Sequence, residues 1–244
     1  MGFFRKVQKI QDMTRPRCAV IVAAAGHSVR MGQDKLFMEL GGVPVLQRTL
    51  AALDQAELVQ EIVVATSAEN LLPVADLCSR SALRTSVKVV EGGATRTESV
   101  LCAAVECDAK TELIAVHDGA RPLITPEQVD DMIRWGHKTL AAAPAVPVTD
   151  TVKIADEKGR VLSTPDRKTL FAVQTPQVFQ ADMLKAALQS ALAAGIQVTD
   201  DCSAVERMGK EVYLVPGDPC NIKITTPVDI AVAEAILRQR GQIL

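Results

Sequence analysis

The stretch CAVIVAAAGHSVRMGQDK, residues 18–35, decides how the rest of the chain is read. Its first seven residues, Cys18 to Ala24, are all apolar, the pattern of a strand buried on both faces of a sheet rather than of one with a wet side. The loop that follows contains Gly26, Gly32, Arg30 and Lys35. Ala23, Ala24, Ala25 and Gly26 are small enough for their backbone N–H groups to approach an anion closely. Arg30 and Lys35 add two positive charges, a combination that suits a ligand carrying several negative ones, such as a triphosphate. The same residues are also compatible with an ordinary strand-to-helix loop whose charges are solvated. Neither GxxxxGK[ST] nor GxGxxG fits, because the Gly26 to Gly32 spacing is wrong for the first and no Lys follows Gly32.

Further along, similar apolar runs at 61–66, 86–91, 112–117, 143–148 and 211–215 alternate with helical patterns at 44–56, 70–83, 95–107, 125–140, 180–194 and 226–240. Thr125-Pro126 with Gln128, and Thr226-Pro227 with Asp229, supply a cap, a Pro at the first helical position and a reciprocal side chain. This order predicts an α/β fold, a Rossmann-like, doubly wound and mainly parallel sheet. Residues 151–164, TVKIADEKGRVLST, interrupt the rhythm with two short β-prone stretches around Asp156-Glu157-Lys158-Gly159, a hairpin signature. A two-stranded hairpin is marginal alone. We therefore expect a protruding arm at about 150–170 that leans on a partner subunit, with a surface hairpin folded onto its own domain as the alternative. No linker divides the chain, so residues 17–244 read as one domain behind a polar extension, 1–16.

The chain has 244 residues, 48% of them hydrophobic, with a net charge of −2 and a pI near 6.0. That balance argues against recruitment of nucleic acid by bulk charge and means that an anion site has to be built locally. Apolar runs fall short of the roughly 20 residues that span a bilayer, and the N-terminus lacks a signal-peptide pattern, so we expect a cytoplasmic protein with no membrane partner. Six Cys and three His are scattered without metal-ligand spacing; the cysteines read as packed thiols, and no zinc site is expected.

Other segments carry chemistry of their own. In VHDGARP (116–122) Asp118 emerges at the end of a buried strand, where a hard carboxylate beside a triphosphate serves as a ligand for Mg²⁺, and Arg121 can face a second phosphate. In EGGATRTESV (91–100) the two glycines allow close backbone approach, and Arg96 and Ser99 share a helical face near an N-terminus that favours anions. NIKIT (221–225) reads as a strand with Lys223 in its middle, and a lysine in an apolar strand needs an anionic partner or a ligand cavity. Asp200 and Asp201 read as caps for a following helix.

Taken in order, AAAGHSVRMGQDK, GGATRTESV, HDGARP, QTPQVF, VTDD and NIKITTP resemble the motifs of the sugar- and polyol-activating nucleotidyltransferases, and in register from 18 to 238 those of the 2-C-methyl-D-erythritol 4-phosphate cytidylyltransferase family. The resemblance implies cytidylyl transfer from CTP to a polyol phosphate with release of pyrophosphate, assisted by Mg²⁺. It implies that Ala24, Ala25, Gly26, Gly93, Arg96, Ser99, Asp118 and Gly119 hold the nucleotide and that Asp118 binds the metal. Arg30, Lys35, Arg167 and Lys223 become the catalytic set, with Arg121, Thr151 and Thr199 on the acceptor. A hairpin exchanged in a homodimer would bring Arg167 into the neighbour's site. Two departures stand out: Gly119 where the family usually has Ala, and Pro219-Cys220 where an acidic residue often precedes Asn-Ile-Lys. An acceptor phosphate is already anionic, so no general base is required. Transfer to ribitol 5-phosphate is the nearest alternative reading; a nicotinamide-dependent oxidoreductase or a nucleotide-binding regulator without chemistry are the alternatives from other classes.

Overall fold

The computed structural model describes residues 15–26 and 35–244. At the centre of the sheet β1 (Cys18–Ala24) pairs in parallel with β4 (Val59–Thr66) on one side and β6 (Leu113–Asp118) on the other, and β5 (Ser86–Glu91) extends the sheet beyond β4. Between β1 and β4 lie the two-residue strands β2 (Glu39–Leu40) and β3 (Val43–Pro44) and helix α1 (Val45–Gln55). Helices α2 (Leu71–Arg80), α3 (Arg96–Glu106) and α4 (Pro126–Thr139) follow β4, β5 and β6 in turn. β7 (Ala141–Pro147) completes the first alternating run; β8 (Ile154–Ala155) and β9 (Val161–Ser163) form the arm.

The sequence pattern did not show the next step. β10 (Phe171–Val173) and β11 (Gln177–Gln180) run antiparallel, and β11 inserts between β6 and β7. Ala142 faces Val178 on one side and Tyr213 on the other, so β10 and β11 share one edge of β7 while β12 (Tyr213–Pro216) takes the opposite edge in parallel. Helices α5 (Ala181–Ala193), α6 (Asp201–Arg207) and α7 (Pro227–Gln239) complete the chain. Residues 221–225, read from sequence as a strand, pair with none; Ile224 N–H instead donates to the Ala120 carbonyl at 2.8 Å. Asn221 is buried and capped by neighbouring backbone, so this apolar-flanked segment packs as an irregular strap across the strand ends.

The alternation of side chains along β1 divides the core in two. Val20 and Val22 pack with Leu46, Leu50, Val74, Val129 and Ile133, whereas Ala19 and Ile21 pack with Val100, Ala103, Leu184, Leu188 and Phe179 on the other face. Each fully buried Ile or Leu contributes about 1.5–3 kcal/mol of transfer free energy, which is why a continuous apolar strand requires helices on both sides. Thr95 with Glu98, Thr125 with Gln128, and Thr226 with Asp229 all form capping boxes, fixing where α3, α4 and α7 begin.

β8 and β9 pair only with each other, through a turn in which Gly159 adopts φ +78°, and Ile154, Val161 and Leu162 on them are 50–61% exposed. The two arm strands thus join no other sheet, in keeping with the protruding hairpin expected from sequence. All six cysteines are free thiols. Among the described residues no helix is long and apolar enough to cross a membrane.

Gly136 marks the tightest contact between helix and sheet: a Cβ there would lie 2.3 Å from Val178 Cγ1 and 2.7 Å from its Cβ. Val178 is wholly buried and β-branched, so it cannot rotate away. Although Ala gains about 1 kcal/mol of helix propensity over Gly, overpacking costs about 1–3 kcal/mol. Gly136→Ala should lower the melting temperature by a few degrees, roughly 2–4 °C for each kcal/mol of net loss; an unchanged or higher value in a thermal melt would contradict this packing.

Candidate active site

The order β5-β4-β1-β6 reverses direction at β1, and the gap between the carboxyl ends of β1 and β6 is the switch point where ligands bind open α/β sheets. Asp118 stands there, opposite Ala23 in register. A cleft of about 250 Å³ opens at this place, lined by Ala23, Ala24, Ala25 and Gly26 from the first loop, Lys35, Gly93 to Arg96, Ser99, Asp118, Ala120 and Lys223. Backbone ties hold its rim: Thr66 Oγ1 donates to the Ala24 carbonyl at 3.3 Å, and Gly92 N–H donates to the Thr66 carbonyl at 2.7 Å. A side chain at residue 92 would sit 2.6 Å from Ser99 Oγ and 3.1 Å from Ala25 Cβ, so a residue without one lets the second loop close on the first.

Asp118 is 6% exposed and surrounded by cations. Lys223 Nζ lies 3.1 Å and Arg121 Nε 3.2 Å from its Oδ2; Arg96 is 3.9 Å from Oδ1. Burial pushes the carboxyl up, but Lys223, Arg96 and Arg121 together pull it down to about 2, so it is ionised at neutral pH. Arg96 also reaches the fully buried Asp201 at 2.7 Å. Burial works against the Arg96 charge, and Asp201 and Asp118 outweigh it; burial likewise lifts the Asp201 carboxyl above its ordinary value.

Behind Asp118, three further residues close a hydrogen-bonded ring. Asp118 N–H donates to Thr175 Oγ1 at 3.1 Å, and that hydroxyl lies 3.0 Å from His117 Nδ1. His117 Nε2 is 3.3 Å from the Arg121 carbonyl. Since that carbonyl can only accept, Nε2 carries the proton and Nδ1 accepts from Thr175. Arg121 donates to the Asn221 carbonyl at 2.7 Å, and Asn221 Nδ2 to the Thr175 carbonyl at 2.9 Å. Burial drives the His117 imidazole down to about 4, so it is neutral at pH 7.

The structure brings together most, but not all, of the residues singled out by sequence. Ala24, Ala25, Gly26, Lys35, Gly93, Arg96, Ser99, Asp118 and Lys223 line the cleft, and Arg121 touches it through Asp118. Gly119 lies behind the wall: its N–H donates to the Ala23 carbonyl at 3.0 Å and its own carbonyl accepts from Thr49 Oγ1 at 2.9 Å. Arg167 and Thr151 are exposed at the arm, where Arg167 donates to the Thr149 carbonyl at 3.0 Å, and within one chain neither lines the cleft. Thr199 is exposed beside α6, 2.8 Å from Ser203 Oγ. Arg30 lies outside the described residues, as do the first 14 residues of the expected polar extension. Asp200 caps α6 through Ser203 N–H at 2.9 Å, as expected, whereas Asp201 is no mere cap but the partner of Arg96.

His117, Thr175 and Asn221 were not singled out. A His inside an otherwise apolar buried strand was the available signal, since such a group must find partners. A second cavity of about 220 Å³, between α4 and β12, is lined by Trp135, Met132, Val215, Asp131 and Asp218 but by no Lys or Arg, so it offers nothing to a phosphate. Among the described residues no cluster of three or more His, Cys, Asp or Glu is placed to hold a metal.

Residues 18–239 match the family model described as 2-C-methyl-D-erythritol 4-phosphate cytidylyltransferase, IspD. A protein of that name from Caldanaerobacter subterraneus is 42% identical over 228 residues, 91% of this chain and 99% of its own. Another from Symbiobacterium thermophilum is 41% identical over 92% of this chain and 94% of its own. Among solved structures, the 4-diphosphocytidyl-2C-methyl-D-erythritol synthase of Anaerococcus prevotii superimposes with a TM-score of 0.82 at 31% identity, covering 92% of this chain and 97% of that one. The Thermus thermophilus cytidylyltransferase gives 0.75 at 32% identity, over 91% and 99%. With the family model spanning nearly all of the described chain and the strand-end cleft at the expected switch point, the protein belongs to the 2-C-methyl-D-erythritol 4-phosphate cytidylyltransferase family.

Proposed function

We propose that the Asp118 cleft is where this chain carries out its family's reaction, cytidylyl transfer from CTP to 2-C-methyl-D-erythritol 4-phosphate in the non-mevalonate route to isoprenoid precursors. The observation that carries this placement is the convergence of Lys223, Arg121 and Arg96 on one buried carboxylate at the switch point, beside a loop of small residues. An oxygen of the acceptor phosphate attacks the α-phosphorus of CTP; the bond from that phosphorus to the β-phosphate bridging oxygen breaks, and pyrophosphate leaves with the electron pair. The acceptor oxygen is already anionic, so the protein needs no base and supplies alignment and charge neutralisation.

In this reading the Ala24 to Gly26 backbone, Lys35 and Arg30 receive the triphosphate, and Gly93, Arg96 and Ser99 receive the cytidine. Ser99 Oγ donates to the Thr95 carbonyl at 2.8 Å, so the hydroxyl would meet the nucleotide as an acceptor. Arg121, Lys223 and Thr199 receive the acceptor. Mg²⁺ would be held through Asp118 Oδ1, which stands 3.9 Å from Arg96, while Lys223 and Arg121 face Oδ2. Mg²⁺ is held by one or two carboxylates plus substrate phosphates and supplies charge neutralisation of the triphosphate when bound.

Arg167 and Thr151 enter the scheme from a second copy. Their exposure, on an arm whose strands pair only with each other, supports a homodimer in which each arm reaches the neighbour's cleft. The apolar residues Ile154, Val161 and Leu162 give that arm a surface to bury.

Two measurements test this reading. Pyrophosphate release from CTP with Mg²⁺ should occur with methylerythritol 4-phosphate and not with ribitol 5-phosphate; release with ribitol 5-phosphate alone would contradict the acceptor assignment. Separately, Arg167→Ala and Lys223→Gln should each be inactive alone, yet co-expression should restore about a quarter of wild-type activity, because half the subunit pairs are mixed and each mixed pair has one intact site. No recovery above the single variants would exclude an arm shared between subunits.

A further inference from the structure

His117, Thr175 and Asn221 belong to none of the substrate contacts above, yet together they join the two segments that carry Arg121 and Lys223. We propose that His117 is a positioning residue, holding the Asp118 strand end, Arg121 and the Lys223 strap in one fixed arrangement through its two ring nitrogens. This inference rests on the reading that the acceptor phosphate lies between Arg121 and Lys223.

His117 is wholly buried, and both nitrogens are used: Nδ1 accepts from Thr175 at 3.0 Å and Nε2–H donates to the Arg121 carbonyl at 3.3 Å. Through Thr175 Oγ1 the first bond reaches Asp118 N–H, and the Thr175 carbonyl accepts from Asn221 at 2.9 Å. Through Arg121 the second bond reaches the Asn221 carbonyl at 2.7 Å and Asp118 Oδ2 at 3.2 Å. Asn221 is two residues from Lys223, whose ammonium meets the same Oδ2 at 3.1 Å. Three segments far apart in sequence, 117–121, 175 and 221–223, are thereby joined by directional bonds in a water-poor interior, where each bond counts for more than in water. The nucleotide-side groups hang from other supports. Arg96 is held most closely by Asp201, at 2.7 Å against 3.9 Å to Asp118, and Ser99 by the Thr95 carbonyl; neither bonds to His117 itself. Loss of the imidazole should therefore misplace the acceptor-binding cations while leaving CTP binding in place. Positional errors of this kind, about 1 Å, cost on the order of a hundredfold in rate.

The test compares wild type with His117→Phe, which keeps a ring of similar volume but makes neither bond, and with His117→Asn, whose carbonyl reproduces the Nδ1 acceptor alone. Steady-state kcat/KM for methylerythritol 4-phosphate and the calorimetric Kd of CTP are measured for each. We expect His117→Phe to lose about tenfold or more in acceptor kcat/KM, His117→Asn to lose distinctly less, and CTP Kd to stay within about twofold in both. If His117→Phe does not fold, a loss confined to the acceptor in His117→Asn carries the same conclusion. The proposal is overturned if acceptor kcat/KM is unchanged in the folded variants, or if CTP and acceptor binding weaken together, as a general loosening would produce. Lys223→Gln serves as the control. If its calorimetric Kd for methylerythritol 4-phosphate equals that of wild type, the placement of the acceptor fails and the inference with it; if that Kd rises while acceptor kcat/KM of the His117 variants is unchanged, His117 alone loses its role.

Discussion

A buried carboxylate at the end of the central parallel pair sets the terms for everything around it. Asp118 cannot be buried as an anion without compensation, because desolvating an isolated charge costs several kcal/mol. The chain answers with cations from three places: Arg96 at the start of α3, Arg121 in the turn after β6, and Lys223 on the strap before α7. Arg121, 11% exposed, would be the costliest of the three to leave unpaired, since Arg96 and Lys223 keep more of their hydration. The mutual dependence fixes the position of the 221–225 strap, which has no strand pairing to hold it and relies on Asp118, Arg121 and Ala120 instead.

The same arrangement gives the cleft its chemical character. Small residues on the β1 loop leave backbone donors accessible, and the paired cations stand ready to exchange a fixed carboxylate for incoming phosphate oxygens. Charge neutralisation is therefore present before substrate arrives, so the groups need not reorganise at the moment of transfer. His117 stays neutral and Asp118 ionised throughout the neutral range. The opposed demands on Arg96, held between Asp118 and Asp201, keep that guanidinium at the junction of the nucleotide and acceptor sides.

Much of this was legible in the chain itself. The continuous apolar runs gave the parallel strands within two residues, and the capping signatures at Thr125 and Thr226 marked helix starts that the structure reproduces. Most of the residues that line the cleft were named from sequence, by the chemistry of strand ends and by the family resemblance. What escaped was set by long-range contacts. Phe171–Val173 and Gln177–Gln180 are too short and too interrupted by Thr175-Pro176 to announce an antiparallel insertion, and only pairing with β6 and β7 makes them strands. NIKIT alternates like a strand but finds no edge to join, since β7 is already occupied on both sides. His117 drew no reading of its own because its partners, Thr175 and Arg121, are revealed only when the 175 bend folds over the β6 end. Asp201 resembled a cap until α3 brought Arg96 to it.

The central claim is that Asp118 and Lys223 are energetically coupled, and a double-mutant cycle measures that coupling directly. Asp118→Asn, Lys223→Gln and the double variant would be compared with wild type by chemical denaturation. Because Lys223 is 39% exposed, solvent screens part of the interaction; the account still predicts a coupling of about 1 kcal/mol, the double variant being less destabilised than the sum of the singles. Additivity within about 0.3 kcal/mol would mean that the strap is held by its backbone alone. The ionic cluster would then be a bystander to the architecture of the cleft.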